Sequence, residues 1–228
     1  MAGTVEHLVI ADRLLDKLHI PNPALFYCGN LAPDAIMARE NYVRDMKTHT
    51  HFKDGQEPYE FRLEQNREIY MERLQAFVDC FFTDEYVGRR DLFLGYLVHI
   101  LADEIYLLEY YEEFVTDLYA KGSTPADLEF SRNFVHDVDQ VDWELVRTYE
   151  FKHPMPDILW QEDGYEIPGW ITAQELLSSK KYIIYKNFQT EHVKEPLRVT
   201  TMEKNYAFLD KCIEKIPVIL RERYGLEP

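Results

Sequence analysis

Cysteine, glycine and basic residues are the scarce members of this 228-residue sequence, and each scarcity excludes something. The three cysteines, Cys28, Cys80 and Cys212, lie far apart with no CxxC spacing. An odd, sparse set excludes a disulfide framework and fits thiols kept reduced in the cytosol. Nine glycines and few turn clusters argue against a fold of many short strands. With 25 basic residues against 41 acidic ones, the formal charge of −16 repels phosphate backbones. Double-stranded nucleic acid is therefore excluded as a partner, and docking on anionic lipid is disfavoured. A small phosphate ester bound at a metal survives this test, because a local divalent cation outweighs a distant field. No apolar run approaches the ~20 residues of a transmembrane helix. The start, Met1 to His7, has neither a basic leader nor an apolar signal core. The expectation is a soluble, cytoplasmic protein.

What is present is core-forming. Apolar residues make up 46% of the chain, with 16 tyrosines and 13 phenylalanines, enough to bury one substantial core. Helical periodicity runs from Val5 to Leu18 and stops at Pro21-Asn22-Pro23. Residues 24–56 read as irregular, with a short helix around Ala35 to Asp45. Long helices are expected over Glu57 to Phe82 and over Asp91 to Tyr119, the second closed by Lys121-Gly122. Residues 124–151 read as helix, and His153 to Trp170 as a loop bearing Pro and Gly. Two last helices are expected, Thr172 to Gln189 and Thr200 to Arg223, with Pro217 kinking or shortening the second. With no repeat and no linker, residues 1–228 form a single all-α domain.

The sharpest chemical signal lies between Leu92 and Glu104. From Leu92 to Leu101 it is apolar nearly all round, the mark of a helix at the centre of a domain. His99 and Asp103 interrupt it at i and i+4, so both project from one face. A buried carboxylate costs several kcal/mol unless paired or bound to a cation, and an imidazole with a carboxylate at helical spacing suits a zinc-like ion. A metal-free hydrogen-bonded His–Asp pair fits this segment equally well. Gly95, one turn earlier on the stripe, allows a backbone or ligand to come close.

Three further segments offer ligands. His7 shares a face with Ile10, Ala11, Leu14 and Leu18, while Asp12, Arg13 and Asp16 point elsewhere; a histidine there is commonly a core residue. Asp34 follows a Gly/Asn/Pro turn, where an N-capping carboxylate is the plain alternative. His49 and His51 alternate along a segment read as extended, so at most one enters the core.

Taken in order, Glu6-His7-Leu8-Val9-Ile10-Ala11-Asp12, Gly29-Asn30-Leu31-Ala32-Pro33-Asp34, Thr50-His51-Phe52 and Gly95-Tyr96-Leu97-Val98-His99-Ile100-Leu101-Ala102-Asp103 form a pattern. The sequence resembles the zinc-dependent phospholipase C family, whose relatives include single-strand-specific zinc nucleases. The resemblance covers about residues 4–110. It implies a multihelical fold of the phospholipase C and zinc nuclease type around as many as three zinc ions. Asp34, His51, His99 and Asp103 match the ligands of one zinc, and His7 matches a ligand of a neighbouring ion that shares Asp103. The implied mechanism has the metals acidify a water that attacks phosphorus in line, with Asp34 orienting or deprotonating it. The implied partners are a small phosphoester or a phospholipid head group.

The departures are specific. Secreted members expose an N-terminal Trp as a zinc ligand, whereas here His7 follows six other residues. A third histidine expected ten residues after His99 is replaced by Glu109. A helical His-x-x-x-Glu pair has no good match, since His136 precedes Gln140 and His153 precedes Asp157 in a Pro-bearing loop. One complete site is expected, a second lacks ligands and the third is degraded; zinc is the expected cofactor, with other divalent metals left open. Glu109 and Glu113 are read as solvated, and His136, His153 and His192 as surface residues. Trp143, Trp160 and Trp170 are read as packing residues that could also cap a pocket.

Three functions follow. The first is a metal-dependent hydrolase of phosphoric esters, a phospholipase C-like phosphodiesterase. The second is a catalytically silent metal-binding protein. The third is a helical interaction module with a buried His–Asp pair. With no membrane-binding amphipathic helix, a soluble phosphoester fits the composition at least as well as a lipid.

Overall fold

The computed structural model describes residues 2–56, 60, 61, 63–120, 122, 124 and 127–227. In chain order its helices are α1 (Thr4–Leu14), α2 (Pro23–Ala35), α3 (Arg44–Thr50), α4 (Glu64–Phe81), α5 (Arg90–Ile105), α6 (Tyr111–Ala120), α7 (Leu128–Thr148), α8 (Met155–Trp160), α9 (Ala173–Ile183) and α10 (Met202–Tyr224). A wide π-helical turn, Tyr106–Tyr110, joins α5 to α6, and another, Ile184–Gln189, extends α9. The described residues contain no strand, only one isolated bridge between Ile167 and Ile171. The fold is all-α.

α5 is the axis. Every residue from Asp91 to Ile105 is buried, as its all-round apolar sequence requires. α2 lies directly against it, and two glycines make this possible. A Cβ on Gly29 would sit 1.8 Å from the Leu92 carbonyl oxygen, and one on Gly95 would sit 2.0 Å from that of Phe26. Gly95 thus admits a neighbouring backbone, that of α2. α1, α9 and α10 pack around this pair, while Phe52, Phe77, Tyr96 and Trp170 fill one flank with ring contacts.

The expected irregular stretch over 24–56 is corrected. Pro23–Ala35 is a helix, started by Pro at its first position and by Asn22 Oδ1, which accepts the Leu25 N–H at 3.1 Å. Gly29, Asn30 and Pro33 look like turn residues, but burial against α5 overrides that preference. Asp34 therefore sits in the last turn of α2 and caps no helix start. The expected helix from Ala35 to Asp45 is a 3₁₀ turn at Ile36–Ala38 followed by α3. The region read as a loop, His153 to Trp170, holds the short helix α8.

Elsewhere the expectations need trimming. α1 ends at Leu14 and continues as turns to Leu18. Residues 57–59, the expected start of α4, lie outside the described residues, as do Lys121 of the expected cap and residues 125 and 126 ahead of α7. Gly122 has the positive φ of +74° that suits a helix stop. α10 runs on through Pro217 to Tyr224. Among the described residues no helix is long and apolar enough to cross a membrane.

Candidate metal centre

Four elements bring His7, Asp34, His51, His99 and Asp103 to one place. α1 supplies His7, whose depth is set by a capped helix start: Asp142 Oδ1, from α7, accepts the N–H groups of Val5 (3.0 Å) and Glu6 (3.1 Å). Glu6 adds an acceptor for the Gly3 N–H at 2.8 Å. α2 supplies Asp34, and α5 supplies His99 and Asp103 one turn apart. His51 directly follows α3.

The approach to His51 is unusual. Phe52 has φ = +60°, a left-handed backbone that costs a bulky residue about 1–2 kcal/mol. Its ring is fully buried, 4.7 Å from Trp170 and 5.5 Å from Phe77, and that burial holds the turn. Two hydrogen bonds pin the same turn to its neighbours. Tyr96 Oη donates to the Thr50 carbonyl at 2.6 Å, and Thr50 Oγ1 donates to the Pro33 carbonyl at 2.8 Å. His51 is thus fixed against both α2 and α5. His49 instead lies on the exposed side, 2.8 Å from Asp54 and stacked on Trp170. One histidine of the pair does enter the core, though from a helix end rather than from an extended segment.

The tautomers follow from the acceptors. His99 Nδ1 faces the Asn30 carbonyl at 2.8 Å and His51 Nδ1 faces the Lys47 carbonyl at 2.8 Å. A carbonyl accepts only, so both Nδ1 atoms carry the proton and both Nε2 atoms present a lone pair. Among the described residues those Nε2 atoms are buried without a hydrogen-bond partner, as are His7 Nδ1 and both Asp103 carboxylate oxygens. Unpaired buried polar groups normally cost about 1–3 kcal/mol each, so their convergence needs an explanation.

The distances supply one. His7 Nε2 lies 3.6 Å from Asp103 Oδ1, His51 Nε2 lies 3.6 Å from Asp103 Oδ2, and His51 Nε2 lies 3.3 Å from Asp34 Oδ1. These are long for hydrogen bonds. Two ligands each ~2.1 Å from a tetrahedral ion lie about 3.4 Å apart, which matches. Two triads have ligand atoms within 4.8 Å of one another, His7–His99–Asp103 and Asp34–His51–His99. The resemblance implied sharing through Asp103; in these triads His99 is the common member. The His7 and His99 rings stack with centroids 3.7 Å apart.

Electrostatics favour the ligating states. Burial, with Lys47 nearby, lowers His51, and burial with His7 alongside holds His99 well below its ordinary value. Burial pushes Asp103 up, but the facing His7 and the Lys53 charge outweigh it and keep the carboxyl ionised well below its usual range. Asp34 behaves likewise, with Lys47 Nζ only 2.6 Å from its Oδ1. Neutral imidazoles and ionised carboxylates are what a divalent cation binds. A metal thus fits the residues present.

Several roles were not legible in the sequence. Asn30 and Lys47 orient two imidazoles through backbone carbonyls, which any residue type provides. Lys47 and Lys53 reach the site as ordinary lysines beside a turn. Asp12, read as pointing away from the apolar face of α1, is buried and accepts from the hydroxyls of Tyr27 (2.6 Å) and Tyr149 (2.7 Å).

Other candidates lie apart. Glu109 pairs with Lys215 and Lys211, and Glu113 with Lys204. His136, His153 and His192 are half-buried rather than surface residues: His136 pairs with Asp137 and Glu195, His192 stacks on Trp143, and His153 meets the Tyr27 ring edge-on. Trp170 packs against Phe52, while Trp160 is largely exposed.

No protein-family model, curated protein or solved structure matches this chain.

Proposed function

We propose that this protein is a metal-dependent hydrolase of phosphoric esters, with zinc or another divalent first-row ion held by His7, Asp34, His51, His99 and Asp103. The observation that carries the reading is the convergence of buried, unpaired imidazole and carboxylate atoms at ligand-to-ligand spacing. Three imidazoles and two carboxylates suit such an ion better than magnesium or calcium. A cation bound there supplies Lewis acidity to a phosphoryl oxygen and acidifies a water.

The chain's own residues supply access and orientation. His7, His51, His99 and Asp103 are sealed from solvent, and Asp34 alone is partly open, its side chain 14% exposed. It lines a cavity of about 580 Å³ with Thr4, Met37, Ser178, Ser179 and Tyr182, wide enough for a small ester. A carboxyl held so far below its usual range is a weak base. Asp34 therefore acts by accepting a hydrogen bond from the attacking water and orienting it. The Asn30 and Lys47 carbonyls keep His99 and His51 in the tautomers that leave Nε2 free.

The burial of four of the five donors also suits a silent, structural metal site. Metal content per chain, measured beside turnover of chromogenic phosphoesters, separates the readings. The native protein is expected to hold at least one equivalent, lost in His99→Ala and Asp103→Asn and kept in His136→Ala, and to turn over an ester. Metal without turnover selects the silent reading; no metal after incubation with zinc, manganese or iron sinks both.

A further inference from the structure

We propose that Lys53, with Lys47 and Arg44, forms a pocket beside the metal centre that binds a compact tetrahedral oxyanion, the phosphate dianion of a monoester or free phosphate. The substrate assignment rests on the hydrolase reading above; the pocket itself is present without a metal.

Lys53 carries the argument. It is only 6% exposed, and among the described residues its Nζ has no hydrogen-bond partner. A buried primary amine with no acceptor is costly, and it is kept where something else completes it. Of the carboxylates whose charge reaches it, Glu104 is engaged elsewhere, its Oε2 accepting from Arg223 at 2.8 Å and from the Tyr70 hydroxyl at 3.2 Å, and Asp103 acts through its charge without a hydrogen bond to the amine. The amine lies instead 5.1 Å from the centroid of the Phe61 ring and 6.0 Å from that of Tyr70, a contact that tolerates a cation without satisfying its donors.

Lys53 lines a cavity of about 60 Å³, shared with Arg44, Lys47, Thr48 and the metal-site residue His51. One water needs roughly 10–15 Å³ by this measure, so there is room for a compact oxyanion and little more. Three cationic side chains line this one small cavity in a chain of net charge −16; Lys47 is already paired with Asp34, and Lys53 is the buried one whose donors are unmet among the described residues. The left-handed turn at Phe52 places Lys53 there: His51 enters the metal centre on one side of it, while the Lys53 N–H returns to the Thr48 carbonyl at 2.8 Å. One strained residue thus aims a metal ligand and an anion ligand at adjoining spaces. A phosphoryl group bridging the two would meet cations on both sides, a common arrangement for stabilising its charge.

Titration calorimetry with inorganic phosphate, phenyl phosphate and dimethyl phosphate tests this on metal-free and zinc-loaded protein. Phosphate is expected to bind the metal-free protein, with dimethyl phosphate at least tenfold weaker. Lys53→Met is expected to weaken phosphate at least tenfold and leave the zinc stoichiometry unchanged, while Lys53→Arg retains binding. Phenyl phosphate binding beside phosphate identifies an ester as the source; phosphate alone identifies the free ion. Arg44→Gln, at an exposed position, gives the same direction and keeps the test open if Lys53→Met fails to fold. Unchanged phosphate affinity in Lys53→Met and Arg44→Gln overturns the pocket, whatever the metal content. Absence of metal with phosphate binding intact overturns the hydrolase reading alone.

Discussion

Lys47 Nζ lies 2.6 Å from Asp34 Oδ1, the same oxygen that faces His51 Nε2 at 3.3 Å. The ammonium thus pairs with the carboxylate that the Asp34–His51–His99 triad would offer to a metal. Both partners are mostly buried, so the pair is not a screened surface contact.

Removing the competing charge should tighten the metal. Lys47→Met is expected to raise zinc affinity about tenfold, equivalent to about 1.4 kcal/mol, measured by competition with a fluorescent chelator. Weaker or unchanged zinc binding would show that Lys47 supports the site instead of competing for it.

The site also sets a pH dependence for the metal-free protein. His51 and His99 have folded values below the ordinary 6.5, chiefly because burial disfavours the imidazolium. The unfolded chain therefore binds more protons below pH 6.5, and stability falls as the pH drops from there. Asp34 and Asp103, depressed below 3.8, add a further loss as the pH falls through their folded values. Glu6 and Asp142 are raised by burial, so their contribution is present below 4.5 and 3.8 respectively and fades as the pH rises through their folded values. The Tm should therefore decline between pH 6.5 and 5, and His99→Asn should flatten that decline. A native Tm that rises as the pH falls through this window, and rises equally in His99→Asn, would show that Glu6 and Asp142 outweigh the imidazoles.

How much of this was legible depended on whether a residue's neighbours lie close in sequence. The all-round burial of α5 and the shared face of His99 and Asp103 follow from helical period alone, because the helix makes both. The four short blocks gave all five clustered residues, but the block around Asn30 and Pro33 misled about conformation. Its turn-forming residues are helical because Gly29 and Gly95 let α2 press against α5, a tertiary fact with no local sign. Lys53 was invisible for a similar reason: a lysine ahead of Asp54-Gly55 reads as solvated until the positive φ of Phe52 is known.

Metal should also stabilise the fold, since the ligand atoms it satisfies are unpaired without it. Zinc at a hundred times its Kd is expected to add about 2.7 kcal/mol. At about 2–4 °C per kcal/mol for a chain of this size, that is a Tm shift of roughly 5–11 °C. Scanning calorimetry with zinc and with excess chelator measures it. The shift should vanish in Asp103→Asn; a shift that persists there would place the zinc elsewhere.

The close approach of α2 to α5 gives the most demanding test of how fold and site depend on each other. A Cβ on Gly95 would lie 2.0 Å from the Phe26 carbonyl oxygen and 2.7 Å from the Asn30 nitrogen, and both are backbone atoms that cannot rotate away. Gly95→Ala must therefore push the helices apart, at a cost of about 3 kcal/mol or more. Asn30 is also the residue whose carbonyl fixes His99 Nδ1, so the same displacement should loosen the tautomer lock and weaken metal binding. Gly88→Ala is the matched control, because no atom of the described residues lies within 4 Å of the added carbon. The expected result is a Tm lowered by about 6–12 °C with reduced zinc affinity in Gly95→Ala, and neither change in Gly88→Ala. A Gly95→Ala protein that melts lower yet binds zinc as tightly as the native chain would show that His99 is held by α5 alone.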